Sequence, residues 1–497
     1  MLLGIDLGTS SLKAVLFDPE AGTILAQAKV AIEIEMPTPE RAEADPEGLW
    51  QALVAVLAQL RASQPVAFVA IQGVGLSTIF PALVPMDEAG RPLTPALLYC
   101  DHRAQAQAQA FAEAFGVAEL ERRTGNRFTP GTTTLPGILW LRDEEPEVFA
   151  RTRIFGQIET YLVHRLTGEF VVDASHQSLS GMAAAGNELR YDEAVLTAAG
   201  LSADRLPRPL GSTEVAGSVT SEASALCGLP TGTPVVAGCG DAPLATLGGG
   251  IHGPGKLFVS AGTTDCLMIT ADHPPRNPVF CNIHAPVPGL WVVNGTMSTA
   301  GASVKWFQEE FLPCSLAEMT GWAETAAPGS NGLVFLPYLQ GERTPWWDPQ
   351  ARGAFFGLAL GTGRAEACRA VFEGIACGWR QIVGLLEEEC GLHAPEVVTV
   401  GGGSTNDLLN RIKATMLDRP IRSLSFTEIT SLGAALIAGI GAGVYASAAE
   451  ACASTEHLRS SQAFHPVPEW REACQNSYDT YVQLYPALQP LFASAGS

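Results

Sequence analysis

The chain has 497 residues, 47% of them hydrophobic, which is too long for one core and suits two or three domains. With 30 basic against 51 acidic residues the net charge is −21, and no basic run offers a footprint for a nucleic-acid backbone. Eleven scattered cysteines without a C-x-x-C pair exclude a disulfide framework, and no leader and no apolar stretch of about 20 residues points to secretion or a membrane, so the sequence reads as a cytoplasmic protein.

In chain order, Leu2 to Leu7 and Leu12 to Phe17 are apolar runs joined by the small-residue turn Gly8 to Ser11, which predicts a β-hairpin. A turn at Asp18 to Gly22 and a strand from Thr23 to Ile34 complete a meander. Asp45-Pro46 then marks a helix start, with Leu49, Leu53, Val56, Leu57 and Leu60 on one face. Val66 to Val74 reads as a buried strand, and Ala104 to Phe115 and Ile138 to Phe149 as helices. Thr233 to Ala237 is a strand running into a turn at Gly238 to Asp241. Lys256 to Ser260 and Cys266 to Thr270 flank Ala261-Gly262-Thr263-Thr264-Asp265 as a second apolar hairpin. Ala365 to Cys390 is a long helix, Glu396 to Val400 a strand entering Gly401-Gly402-Gly403-Ser404, and Leu408 to Leu417 and Leu432 to Ile440 are further helices.

Two hairpin turns match: Leu7-Gly8-Thr9-Ser10 and Ala261-Gly262-Thr263-Thr264. They suggest two related halves, divided near Gly248 to Gly250. Each turn has backbone N–H groups and hydroxyls suited to phosphate oxygens. The first has Lys13 close behind and Asp6 close ahead; Mg²⁺ favours such a carboxylate together with phosphate and water. A plain hairpin with a capping Asp explains the same residues. The glycines at 401 to 403 let a ligand approach the backbone, as any strand-to-helix turn would. The acidic chain must build a phosphate site locally, and there is neither a G-x-x-x-x-G-K-[ST] loop nor a dinucleotide fingerprint.

Asp241, between glycines at a strand end, suits a base that takes a hydroxyl proton during phosphoryl transfer; a turn-forming Asp before Pro243 explains it equally. Asp101 and Arg103 suit either sugar hydroxyls or a surface ion pair. Gln340 to Pro345 suits either substrate contact or a rigid corner held by a Glu–Arg pair. His102, His176 and His284 stand alone, without metal-ligand spacing.

Together these motifs resemble the FGGY family of carbohydrate kinases, and within it the xylulokinase branch. The matching segments, in order, are Gly4 to Ser10, Tyr99 to Arg103, Gly238 to Asp241, Ser260 to Thr264, Leu336 to Pro345, Gly353 to Leu358 with Ala370 to Glu373, and Gly401 to Asn406. The resemblance implies an α/β protein of two ribonuclease-H-like (actin-like ATPase) domains around a deep catalytic cleft: residues 1–248 for the sugar and 249–497 for the nucleotide. It implies ATP, Mg²⁺ and a small-molecule sugar as ligands, with D-xylulose 5-phosphate and ADP as products. Asp241 carries over as the base and a sugar contact, and Asp6 as catalytic and metal-holding. Thr9, Ser10, Ser11, Lys13, Gly262, Thr263, Gly301, Gly402, Gly403 and Asn406 carry over as nucleotide-side residues. Gly75, Leu76, Asp101 and Arg103 carry over as sugar-side residues. A homodimer is compatible with it.

The departures lie on the sugar side. Where xylulokinases carry Gln-Met-His after the buried strand, Val74-Gly75-Leu76 is expected here, with Ser77 and Thr78 behind. Gly137 stands where the family has Lys, and Tyr99 where it has Trp. They leave ribulose, gluconate, glycerol and erythritol as alternative substrates. An actin/Hsp70-like ATP-driven binding protein shares the hairpin clamp, but the Asp241 turn and the Gly341 to Pro345 segment belong to sugar chemistry. A catalytically dead sensor is disfavoured by intact Asp6 and Asp241.

Overall fold

The first strands are almost wholly apolar, so they lie in the middle of a sheet covered on both faces. In the computed structural model, which describes residues 1–495, the sheet contains β1 (Leu2–Leu7), β2 (Ser11–Asp18), β3 (Thr23–Ala31), β4 (Gly73–Thr78), β5 (Val215–Ser218), β6 (Pro234–Val236) and β7 (Cys239–Gly240). The order is β5-β6-β4-β1-β2-β3, with β7 also paired to β4. β1, β2 and β3 form the antiparallel meander expected from sequence; β1, β4 and β6 are parallel.

A second, seven-stranded sheet includes β8 (Leu257–Ala261), β9 (Asp265–Ala271), β10 (Trp291–Met297), β11 (Val397–Val400), β12 (Ile421–Leu424) and β13 (Ser461–Phe464), with β10-β9-β8-β11-β12-β13 as successive neighbours. Here too a hairpin, β8 with β9, precedes parallel pairing of β8 with β11 and β11 with β12, and an antiparallel strand closes the edge. The four-residue turn match in the sequence therefore sits at the same topological position in both sheets.

The chain forms two compact units, and the second half of the sequence does not stay in one of them. One unit holds 1–253, 271–292 and 428–458; the other holds 254–270, 293–427 and 459 onward. Small residues explain the return of helix Ile429–Gly441 to the first unit. A Cβ on Gly4 would lie 2.0 Å from the Ser431 carbonyl oxygen, and one on Gly75 2.0 Å from that of Ala434. Glycines in adjacent strands thus open a groove that a helix rich in Ala and Gly fills at backbone distance.

Three predicted elements differ. The Val66 to Val74 segment is not a strand: Pro65–Phe68 is a helical turn, Val66 and Val69 are 81% and 66% exposed, and the buried strand runs from Gly73 to Thr78. Pro65 preorganises the helical turn, in which only Phe68 is buried. Ile138 to Phe149 is two helices, Leu135–Glu144 and Pro146–Arg151, because Pro146 has no N–H to continue the first. Thr23 to Ile34 ends as a strand at Ala31. Among the described residues no helix is long and apolar enough to cross a membrane.

Candidate active site

β1 carries Asp6 to the open end of the first sheet, opposite Lys13 of β2 and beside Ser77 of β4. Asp6 Oδ1 is buried without a hydrogen-bond partner, and loss of hydration, reinforced by the nearby Asp241 carboxylate, pushes its pKa up to about 7. Lys13 Nζ lies 3.2 Å from a Glu428 carboxylate oxygen, a partner contributed by the returning segment and not visible in the local sequence. The turn above Asp6 is closed by Gly8 N–H donating to the Ser11 carbonyl at 3.0 Å. Thr9 and Ser10 are exposed and Ser11 is buried.

Asp241 is the first residue of helix Asp241–Gly248, directly after the two-residue strand β7; the predicted turn is a strand-to-helix junction. It is half-buried, and dehydration raises its carboxyl to about 6, against the pull of the Ala242 N–H at 2.8 Å and of His176. The N-terminal end of the helix also favours the carboxylate form.

A buried network missing from the sequence reading supports this junction. Asp173 caps the short helix Ala174–Ser178 and pairs with His176 Nδ1. His176 Nε2 lies 2.9 Å from Thr78 Oγ1, and Ser175 Oγ accepts the Gly240 N–H at 2.7 Å. His176, isolated in sequence, is thus a core histidine with both ring nitrogens engaged. With Asp173 and Glu159 it forms a group whose ligand-type atoms lie within 4.8 Å of one another. The i, i+3 spacing of Asp173 and His176 was the available signal.

The proposed sugar-side residues separate. Gly75 and Leu76 lie inside β4, Gly75 against Ala434 and Leu76 wholly buried, so neither presents a side chain to a ligand. The strand ends at Thr78, and the residues that follow it are Ile79-Phe80-Pro81. Phe80 packs on Gly240, where a Cβ would come within 2.6 Å of its ring, and lies 5.3 Å from His176, so it borders the Asp241 junction. Asp101 and Arg103 form a clamp: Arg103 bonds Asp101 and Glu43, Asp101 Oδ2 accepts the Ala42 N–H, and the guanidinium lies 5.1 Å from the Trp140 ring. Arg103 is committed to this pairing. Asp101 also lines a small recess with Pro81, Leu83, Pro130 and Gly137.

In the second unit Gly262 and Thr263 form the β8–β9 turn. Gly301 N–H donates to the Gly262 carbonyl at 3.0 Å, and a Cβ at Gly301 would sit 2.3 Å from that oxygen, so Gly301 supports the turn by close approach. Gly401, at φ 102°, turns β11 against the Ala261 carbonyl. A Cβ at Gly402 would meet nothing within 4 Å, which leaves open space over the loop, whereas Gly403 touches Ala261. Asn406 caps helix Asp407–Leu417 through the Leu409 N–H and donates to Thr320. The Gln340 to Pro345 corner is held by Glu342, which accepts the Ser298 and Arg343 N–H groups; backbone donors do what a Glu–Arg side-chain pair was expected to do.

Two sheets of this shared order, each with a glycine-hydroxyl hairpin, define the actin-like ATPase fold. Residues 1–248 match the N-terminal domain of the FGGY family of carbohydrate kinases, and residues 257–442 match its C-terminal domain. A xylulose kinase of Lactococcus lactis is 31% identical over 97% of this chain and 96% of its own, and a gluconokinase of Bacillus subtilis 28% over 88% and 86%. The crystal structure of a xylulose kinase from Rhodospirillum rubrum superposes with a TM-score of 0.91, at 28% identity over 99% of both chains. The chain belongs to the FGGY family of carbohydrate kinases and is a sugar kinase.

Proposed function

We propose that this kinase transfers the γ-phosphoryl group of ATP to a hydroxyl of a small neutral sugar, with D-xylulose as the first candidate and D-xylulose 5-phosphate and ADP as products. The observation that carries the reading is the pair of half-buried, mutually repelling carboxylates, Asp6 and Asp241, at neighbouring strand ends of one unit. A carboxyl near 6 is ionised at neutral pH yet more basic than an ordinary aspartate, which suits a general base. Asp241 accepts the proton of the attacking hydroxyl, which then attacks phosphorus in line.

The donor set fits the two groups the reaction needs. The unpartnered Oδ1 of Asp6 is a hard oxygen ligand for Mg²⁺, with exposed Thr9 and Ser10 nearby. The open space over Gly402, with the Gly262 and Thr263 turn in the same unit, fits adenosine and phosphates. Mg²⁺ held by Asp6 would supply charge neutralisation on the phosphates. Lys13, Ser11 and the turn N–H groups orient the terminal phosphate. Phe80 and Pro81 shape the sugar side.

The choice of a neutral sugar follows from charge. A sugar acid would add a third negative charge beside two carboxylates, whereas a ketopentose brings only hydroxyls. The test is ADP release with a panel of D-xylulose, D-ribulose, D-gluconate, glycerol and erythritol. Preference for D-xylulose is expected. Preference for gluconate would move the assignment to the sugar acid, and no turnover with any of the five would overturn this substrate reading.

A further inference from the structure

The two matching hairpin turns are held differently. In the first, Gly8 N–H meets only the backbone carbonyl of Ser11. In the second, Gly262 N–H is shared between the Thr264 carbonyl at 3.1 Å and Asp265 Oδ1 at 3.1 Å. Asp265 is 1% exposed, and its other oxygen is claimed from behind. Trp379 Nε1–H donates to Oδ2 at 2.7 Å, and Lys413 Nζ lies 3.6 Å from the same atom. The Lys413 ammonium also sits 3.7 Å from the centre of the Trp379 ring. Lys413 is 1% exposed and Trp379 fully buried. Trp379 comes from helix Arg364–Glu388 and Lys413 from helix Asp407–Leu417, so three separate elements meet on one carboxylate under the turn.

A buried charge pair seldom adds net stability over apolar packing, so an arrangement this specific calls for another role. The turn supplies one. Its carbonyls are already fastened: Gly262 O accepts from Gly301 N–H, and Thr263 O from the Ala300 and Ala302 N–H groups. Asp265 fastens the remaining side by the Gly262 N–H. Dehydration raises Asp265 and lowers Lys413 from their ordinary values, while each partner's charge opposes the other's shift.

We infer that Asp265 is a positioning residue for the nucleotide, holding the Gly262–Thr264 turn in its phosphate-receiving shape, with Trp379 and Lys413 acting through it. This rests on the reading of that turn as a phosphate loop.

The geometry gives a discriminating variant. Asp265→Asn has one acceptor oxygen where the wild type has two, and donors face it from opposite sides. The Trp379 N–H and the Lys413 ammonium capture it, and the Gly262 N–H loses its side-chain partner. Titration calorimetry with ADP should show affinity falling about ten- to a hundredfold, the worth of a charge-assisted hydrogen bond. The KM for the sugar should change less than about twofold, within the noise of an untouched site. Adding Trp379→Phe and Lys413→Met to Asp265→Asn removes the competing donors and frees the amide oxygen for Gly262, so ADP affinity should recover. Wild-type ADP affinity in Asp265→Asn overturns the inference. So does a folded triple variant that stays weak, since the hydrogen bond would then not be what positions the turn. If the triple variant does not fold, Asp265→Ala combined with Lys413→Met decides, since it removes the carboxylate without leaving an unpaired ammonium: weakened ADP binding supports the inference and unchanged binding overturns it. Gly262→Val separates this from the underlying reading, because unchanged ADP affinity there would mean that the turn is not the nucleotide site.

Discussion

Asparagine at position 241 keeps the shape of the side chain and its bond to the Ala242 N–H but cannot accept a proton. The structure sets the size of the effect. Asp241 titrates near 6 instead of 3.8, so at pH 7.5 nearly all of it is ionised, and at pH 5 about one molecule in ten. The wild-type rate should therefore fall about tenfold per pH unit below 6. Asp241→Asn should lose roughly two to four decades of transfer rate, equivalent to about 3 to 5 kcal/mol of barrier. It also removes the negative charge that helps to hold Asp6 near 7, so Asp6 should titrate lower in the variant. Coupled ADP release from pH 5 to 9, with calorimetric binding of ADP and sugar, measures all of this. A variant that binds both ligands and turns over at the wild-type rate refutes the assignment of Asp241 as base.

Gly75→Ala and Gly4→Ala should destabilise the first unit by about 1–3 kcal/mol or more, because each added methyl lands 2.0 Å from a helix carbonyl; urea unfolding checks this, and a change below about 0.5 kcal/mol would contradict the packing. Gly402→Leu should do the opposite. The open space admits the side chain with little change in stability, while ADP affinity measured by calorimetry drops, and unchanged affinity would remove Gly402 from the nucleotide site. Glu342, 3% exposed, is raised from 4.5 to about 7 by burial. The folded state then binds more protons than the unfolded chain between those values, so its contribution to stability falls as pH rises from 4.5 to 7 and is constant above. The span is about 3 kcal/mol. Urea unfolding at pH 5 and 8 should show this slope reduced in Glu342→Gln, and equal slopes would refute it.

Much of the machinery was legible along the chain. Apolar alternation around Gly8 and Gly262 marked both hairpins, because a strand's two-residue period and a glycine turn are local properties. The position of Asp241 after a strand, and the glycines at 401 to 403, were legible for the same reason. What the local pattern could not decide was which way an apolar run faces. Val66 and Val69 look like core residues and are exposed, so the strand was placed too early.

Only the tertiary structure supplied the partners. Glu428 meets Lys13 across 415 positions, and Trp379 meets Asp265 across 114. Helix Ile429–Gly441 returns to a groove opened by glycines in β1 and β4. Sequence determined where the carboxylates and glycine turns stand, since these depend on a residue and its immediate neighbours. Which charges become buried, and so how strongly each acid holds its proton, depends on segments far apart in the chain. Dehydration by those segments is what raises Asp6 and Asp241, and that physical step belongs to the folded protein alone.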